Sequence, residues 1–376
     1  MALTNCYFFD IMCTAKNQKN SKRRKFMKKV ISIALVLVLA LSVFAMVGCG
    51  KDKETTPDAP AATLKFGMGV VASYGDATDA DGETNGAGEF NATAVAVLLD
   101  KDSKIVAIDL DTAQSGAAWT SEGKAVAAEE FKTKYELGKD YNMAAYGKKH
   151  DGSEGAVKEW FEQADAFMAT ATGKTLDEVK AMMGADTYAT GDLAAAGCTI
   201  SVGDFVAALE KAVANAADSK ATANDKLNLA IVTSASNTDA TEEADGSIEI
   251  STTIVAAVVD ADAKVVASKT DCVQGAISFD AKGASKTDVA AEIKTKCELG
   301  TDYNMAAYGK KHDGSEGKVL EWNEQAAAFD ATLVGKTASD FAALAGADTY
   351  AVGDLAAAGC TISVGDMIKA AEKAAK

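Results

Sequence analysis

Hydrophobic positions fall into two successive patterns along most of this chain. Runs rich in Val, Ile, Leu and Phe cover residues 64–74, 90–99 and 105–110, and the turn Asp100-Lys-Asp-Ser-Lys joins the last two as a hairpin. Near residue 126 the spacing becomes helical. It covers residues 126–137 and then 157–170, where Val157, Trp160, Ala164 and Phe167 share one face. Thr175-Leu-Asp-Glu178 reads as a capping box that opens a short helix, and Ser201-Val-Gly-Asp204 as a weaker one opening the last helix, residues 205–216. Strands followed by helices predict an α+β domain, an antiparallel sheet covered by helices.

The same text then returns. Residues 140–155 (DYNMAAYGKKHDGSEG) recur unchanged as residues 302–317, a shift of 162, and residues 191–204 (GDLAAAGCTISVGD) recur as 353–366. Upstream the match is looser: Asp100-Lys-Asp-Ser-Lys-Ile-Val answers Asp260-Ala-Asp-Ala-Lys-Val-Val at a shift of 160, and strand-like runs reappear at residues 227–234, 248–259 and 265–269. A period this long is a whole domain, not a solenoid unit. The 376 residues also exceed what one ordinary core holds. The expected division is α+β repeat 1 at residues 63–217, a polar linker at 218–225 and α+β repeat 2 at 226–376.

Residues 30–45 (VISIALVLVLALSVFA) are uncharged and apolar, flanked by Lys28 and Lys29 on one side and Met46-Val-Gly-Cys49 on the other. The run is shorter than the roughly 20 residues of a spanning helix and reads as a signal peptide. Met46-Val-Gly-Cys49 resembles the lipobox of bacterial lipoproteins. That resemblance implies cleavage before Cys49, lipidation of its thiol and an anchor on the extracytoplasmic face of the cell membrane. Residues 1–26 precede a complete signal with its own Met27 and read as an over-called start, so 1–49 form the leader. Residues 50–62 hold both prolines and read as a flexible tether.

Charge narrows the partners. The chain carries 54 Asp and Glu against 38 Lys and Arg, a net charge of -16, and the leader is basic, so the folded part is more acidic still. Such a surface repels phosphate backbones, and no nucleic-acid partner is expected. Two His and seven Cys exclude a His-rich zinc centre and a disulfide-dense scaffold, so no metal is expected. Cys272 and Cys297 occur only in the second repeat and could pair in an exported domain. His150 and His312 lie in Gly-rich text, residues 146–155 and its copy, which reads first as a solvated loop and second as a weak metal ligand or base. No catalytic residue is assigned. Trp160 and Trp322 read as core, with stacking on a flat ring, alongside Tyr141, Tyr146, Tyr303 and Tyr308, as the alternative.

One element invites a ligand. Ala196-Gly-Cys-Thr-Ile-Ser201, repeated as Ala358-Gly-Cys-Thr-Ile-Ser363, directly precedes the last helix of each repeat. Free N–H groups and the positive end of the helix dipole favour an anion there. Gly197 and Gly359 would let it approach the backbone. The plainer alternative is that Thr199 and Ser201 only cap the helix; Cys198 and Cys360 read as small buried side chains. With the order of elements and the hairpin Asp102-Ser-Lys-Ile-Val, this element resembles the FMN-binding domain family of bacterial surface lipoproteins and redox-pump subunits. In that family a Ser-Gly-Ala-Thr-x-Ser element accepts FMN through a phosphoester on Thr. The resemblance implies FMN as cofactor, with Gly197, Thr199, Ser201, Gly359, Thr361 and Ser363 as its binding residues. It also implies a flavin transferase or membrane quinone reductase as partner, and electron transfer at the cell surface with the flavin carrying the electrons. Here Ala196 and Ala358 replace the motif's Ser, and Cys198 and Cys360 its Ala. The competing expectation is a non-catalytic structural or interaction lipoprotein without a cofactor.

Overall fold

The computed structural model describes residues 62–128, 130–150, 158–313 and 319–376. The leader, Cys49, nearly all of the tether and residues 151–155 of the His-bearing segment lie outside the described residues. Repeat 1 contains β1 (Lys65–Tyr74), β2 (Gly86–Leu99), β3 (Ile105–Trp119) and β4 (Ala125–Val126). These are followed by α1 (Lys134–Leu137), α2 (Met143–His150), α3 (Trp160–Ala171), α4 (Leu176–Lys180), α5 (Gly191–Ala196) and α6 (Gly203–Ala214). After β5 (Ala217–Asp218), repeat 2 runs through β6 (Lys226–Thr238), β7 (Gly246–Val259) and β8 (Val265–Phe279). Its helices are α7 (Lys296–Leu299), α8 (Met305–Asp313), α9 (Trp322–Leu333), α10 (Ala338–Phe341), α11 (Gly353–Ala357) and α12 (Gly365–Ala374). The α+β class holds: one antiparallel sheet has the order β4-β3-β2-β1-β5, the other β6-β7-β8, each with helices on one face.

The second face of each sheet is covered by the other sheet. Along β2, Ala92, Ala94, Ala96 and Leu98 enter a core shared with Ile248, Ile250, Ile254, Ala256 and Val258 of β7. The alternate residues Val95, Val97 and Leu99 pack under the helices of repeat 1. Successive strand residues point to opposite faces, so a strand buried on both must be apolar at nearly every position. The described body is therefore four layers deep, helix, sheet, sheet, helix, and residues 61–376 form one compact unit. The linker is built into it: Ala217 and Asp218 pair with β1, and the Leu64 N–H donates to the Ala221 carbonyl at 2.8 Å.

Several bonds between the two repeats come in reciprocal pairs. The Ala80 N–H donates to the Gly283 carbonyl at 2.9 Å, and Ala240, its equivalent in repeat 2, donates to Gly123 at 2.8 Å. Asp79 accepts from the Ser285 N–H at 2.8 Å, as Asp239 does from Ala125 at 3.0 Å. Lys211 pairs with Glu298, and Lys373 with Glu136, both at 2.6 Å. Trp119 and Phe279 occupy equivalent positions and stack on each other, centroids 5.1 Å apart and planes 4° from parallel. Such reciprocity marks a self-complementary interface around a two-fold axis, here between two halves of one chain.

Several expected boundaries move. β3 and β8 continue to Trp119 and Phe279, well past residues 110 and 269, because their polar residues pair across β2 and β7 instead of leaving the sheet. The helix expected over residues 126–137 is only its last turn, Lys134–Leu137; Ala125–Val126 is an edge strand. The Thr175 capping box forms as read. The Ser201 box does not: the N-cap of α6 is Val202, with no side-chain cap. Residues Tyr146 to His150 are the end of helix α2 rather than a loop.

Candidate functional site

The element Gly197 to Ser201 sits where α5 hands over to α6, and each of its residues has structural work. Gly197 adopts φ 91° and ends α5, its N–H donating to the Ala194 and Leu193 carbonyls, a left-handed cap that glycine takes without strain. Gly359 is left-handed too, at φ 98°, one residue beyond the Ala358 cap of α11, its N–H donating to the Ala356 carbonyl at 3.0 Å. The open approach expected above them is filled. A Cβ on Gly197 would strike the Lys158 side chain, whose Nζ donates to the Ala196 carbonyl at 2.8 Å, and one on Gly359 would strike Leu320.

The two acceptor threonines are also held by the protein. Thr199 gives both its N–H, at 2.8 Å, and its hydroxyl, at 3.2 Å, to Gln163 Oε1. Thr361 gives the same two groups to Gln325 Oε1 at 2.7 and 3.4 Å. Gln163 and Gln325 are themselves buried at 1% and 0% exposure. They come from α3 and α9, so these threonines fasten one helix to the loop before another. Cys198 and Cys360 are fully buried, and burial pushes both thiols up to about 11; desolvation outweighs any help from a helix terminus. Ser201 and Ser363 do not cap. Their hydroxyls meet those of Thr187 at 2.8 Å and Thr349 at 2.7 Å, and both threonines have φ 68°. A β-branched residue in that region is strained by the order of 1–3 kcal/mol.

Ser363 and Thr349 form one wall of a cavity of about 270 Å³ beneath the start of α12. Ser251, Thr253, Lys296, Trp322, Asp366 and Lys369 also line it. Lys369 pairs with Asp366 at 3.0 Å, while Lys296 takes part in no ion pair among the described residues. Its ammonium instead lies 4.9 Å from the Tyr303 ring centre and 5.4 Å from that of Trp322, a cation–π arrangement. Repeat 1 repeats the motif with Lys134 over Tyr141 at 4.8 Å and Trp160 at 5.5 Å. Burial lowers the Lys134 pKa against the pull of Glu89, Asp204 and Asp111.

Sequence reasoning missed both lysines, because a cation on a four-residue helix belongs to no motif. The Thr–Ser pairing was equally hidden, since 14 residues separate Thr187 from Ser201 and Thr349 from Ser363. The tryptophans are core, as read: Trp160 is 2% and Trp322 4% exposed.

Comparison with protein-family models finds no match, and comparisons with curated proteins and with solved structures also return none. The site is therefore read from its own chemistry. Among the described residues no group of three or more His, Cys, Asp or Glu is placed to hold a metal, and no helix is long and apolar enough to cross a membrane. Cys272 and Cys297 are both free thiols, Cys272 at the outer cavity and Cys297 on the opposite side of the first turn of α7.

Proposed function

We propose that the chain is a lipid-anchored, extracytoplasmic binding protein that works without covalently attached flavin, and that the outer cavity of repeat 2 takes a small anion such as a phosphate group. One observation carries this reading: the Thr361 N–H and hydroxyl are both committed to Gln325, whereas Ser363, Lys296 and Lys369 line open space at the N-terminal end of α12. An anion there would meet the Lys296 ammonium, which forms no ion pair among the described residues, the hydroxyls of Ser251, Thr253 and Ser363 and the N-terminal end of α12, with the Asp366 carboxylate already neutralised by Lys369. A phosphoester on Thr199 or Thr361 would remove the hydroxyl's bond to the buried Gln163 or Gln325 Oε1, leaving that oxygen the Thr N–H alone, and would have to fit beside the Gln side chain. The lipobox resemblance at Cys49 supports the anchor.

Two measurements on the full chain test this. Co-expressed with a flavin transferase, the purified protein should show no flavin absorption and no mass increment at Thr199 or Thr361; a yellow protein carrying either increment would restore electron transfer. Titration with inorganic phosphate should give saturable binding in wild type that weakens at least tenfold in Lys296→Met, which keeps the aliphatic packing. Equal binding by that variant would remove the outer cavity from the account.

A further inference from the structure

A second cavity, of about 350 Å³, lies where β1 and α6 of repeat 1 meet β8, α7 and α9 of repeat 2. The two-fold relation supplies an internal reference, because the equivalent place in repeat 1 is built from the same elements. There Leu110, Tyr135, Phe161, Asp165 and Met168 stand where repeat 2 has Thr270, Cys297, Asn323, Ala327 and Asp330. In repeat 1 these side chains are bulkier: Tyr135, Phe161 and Met168 pack against the helix-side core, and the Tyr135 hydroxyl donates to Asp165 at 2.6 Å. In repeat 2 all five positions carry a smaller side chain, and one of them replaces Met168 with an acid.

That acid comes with its own donors. Asp330 accepts from the Ser268 hydroxyl at 2.9 Å, the Thr270 hydroxyl at 2.7 Å and the Thr270 N–H at 2.9 Å. The two hydroxyls replace Ile108 and Leu110 of repeat 1. Removing an apolar cluster and installing a hydrogen-bonded carboxylate costs stability unless something uses the space. Asn323, on the cavity wall, has its Oδ1 buried without a hydrogen-bond partner among the described residues, which is unfavourable unless a ligand supplies a donor. The walls carry Asp271, Glu298 and Asp330 against Lys211 and Lys269. Lys211 is already engaged by Glu298 and by the Val70 carbonyl at 2.9 Å. With the Lys211–Glu298 pair set aside, Asp271 and Asp330 face Lys269 alone, an excess of one acid, beside the apolar residues Met68, Val70, Ala326 and Ala327.

We infer that this inter-repeat cavity is a binding site for a primary alkylammonium compound, its ammonium donating to Asp330 and Asn323 Oδ1 and its aliphatic stem lying along Met68, Val70 and Ala326. The site goes beyond the anion site proposed above and does not depend on it. Calorimetric titration of the full chain in detergent with cadaverine tests it. Wild type should bind one cadaverine per chain, and pentane-1,5-diol and glutarate should give no saturable heat. Asp330→Asn keeps the side-chain shape and should weaken cadaverine at least tenfold. The triple variant Thr270→Leu/Asn323→Phe/Asp330→Met, which writes the repeat 1 side chains into repeat 2, should abolish binding while melting as cooperatively as wild type. Absence of saturable binding at millimolar cadaverine, two equal sites per chain, comparable binding of the diol, or undiminished binding by Asp330→Asn would each overturn the assignment.

Discussion

The two repeats differ in where they tolerate difference. Several contacts around the two-fold axis appear twice in matching form, among them the paired Lys–Glu bridges and the exchanged Ala–Gly hydrogen bonds. Repeat 1 lays α6 directly on β1, where a Cβ on Gly67 would collide with the Ala212 carbonyl. Repeat 2 has Asn228 at that position and uses its side chain to donate to the Ala374 carbonyl at 2.8 Å. The same helix-on-sheet joint is thus closed by proximity in one copy and by a hydrogen bond in the other. The inter-repeat wall carries bulkier side chains in repeat 1 and lines an open cavity in repeat 2. Joining two copies into one body keeps their shared face constrained and leaves the outlying walls free to diverge, and the open cavity lies in one of those walls.

The sharpest way to break the comparison is at the axis itself. Trp119→Ala should cost about 4 kcal/mol of unfolding free energy and Phe279→Ala about 3 kcal/mol, because Trp119 also donates Nε1–H to the Gly283 carbonyl at 2.8 Å. The double variant should cost less than the sum, since the two rings stack on each other. Equal, additive losses in denaturant unfolding would mean the stack is incidental.

A buried carboxylate gives the next largest effect. Burial pushes Asp111 up to about 7, although it accepts from the Thr112 N–H at 2.7 Å and the Tyr135 N–H at 3.3 Å. A carboxyl whose folded pKa exceeds its unfolded one binds its proton more tightly in the folded state. Its contribution is therefore fully present below about pH 4 and is lost as pH rises through 7. Asp111→Asn should match wild type near pH 4 and exceed it above pH 7, by on the order of 3 kcal/mol. A pH-independent difference between the two would show that the carboxyl does not titrate in the folded protein.

Smaller effects sharpen the contrast between the bulkier wall and the open one. The triple change that copies repeat 1 into repeat 2 should raise stability by about 1–2 kcal/mol, because it removes a buried charge and fills space; a loss would show that the cavity is structural. Lys211→Ala and Lys373→Ala should each cost under about 1 kcal/mol, since both bridges are half-exposed, and the loss should shrink with added salt.

Duplication, sheet-before-helix order and the helix-spaced core of Trp160, Ala164 and Phe167 were legible in the sequence, because each leaves a local pattern. The far halves of β3 and β8 were not: Asp111, Thr112 and Gln114 are polar residues that a ladder satisfies, and only the ladder shows it. The face-to-face sheets left one readable trace, the uninterrupted apolar run Ala94 to Leu99, which does not say what covers its second side. Thr199 and Thr361 illustrate the limit for sites. A Gly-x-Thr-x-Ser element before a helix suits a phosphate in one dimension, but Gln163 and Gln325, 36 residues upstream, decide in three where the hydroxyls go.

The claim beneath all of this is that the two repeats share one core and fold as one body. Differential scanning calorimetry of the full chain tests it most directly. The account predicts a single transition whose calorimetric and van't Hoff enthalpies agree, and Trp119→Ala should shift it as a whole. Two resolved transitions, with Trp119→Ala moving only the one that belongs to repeat 1, would contradict it.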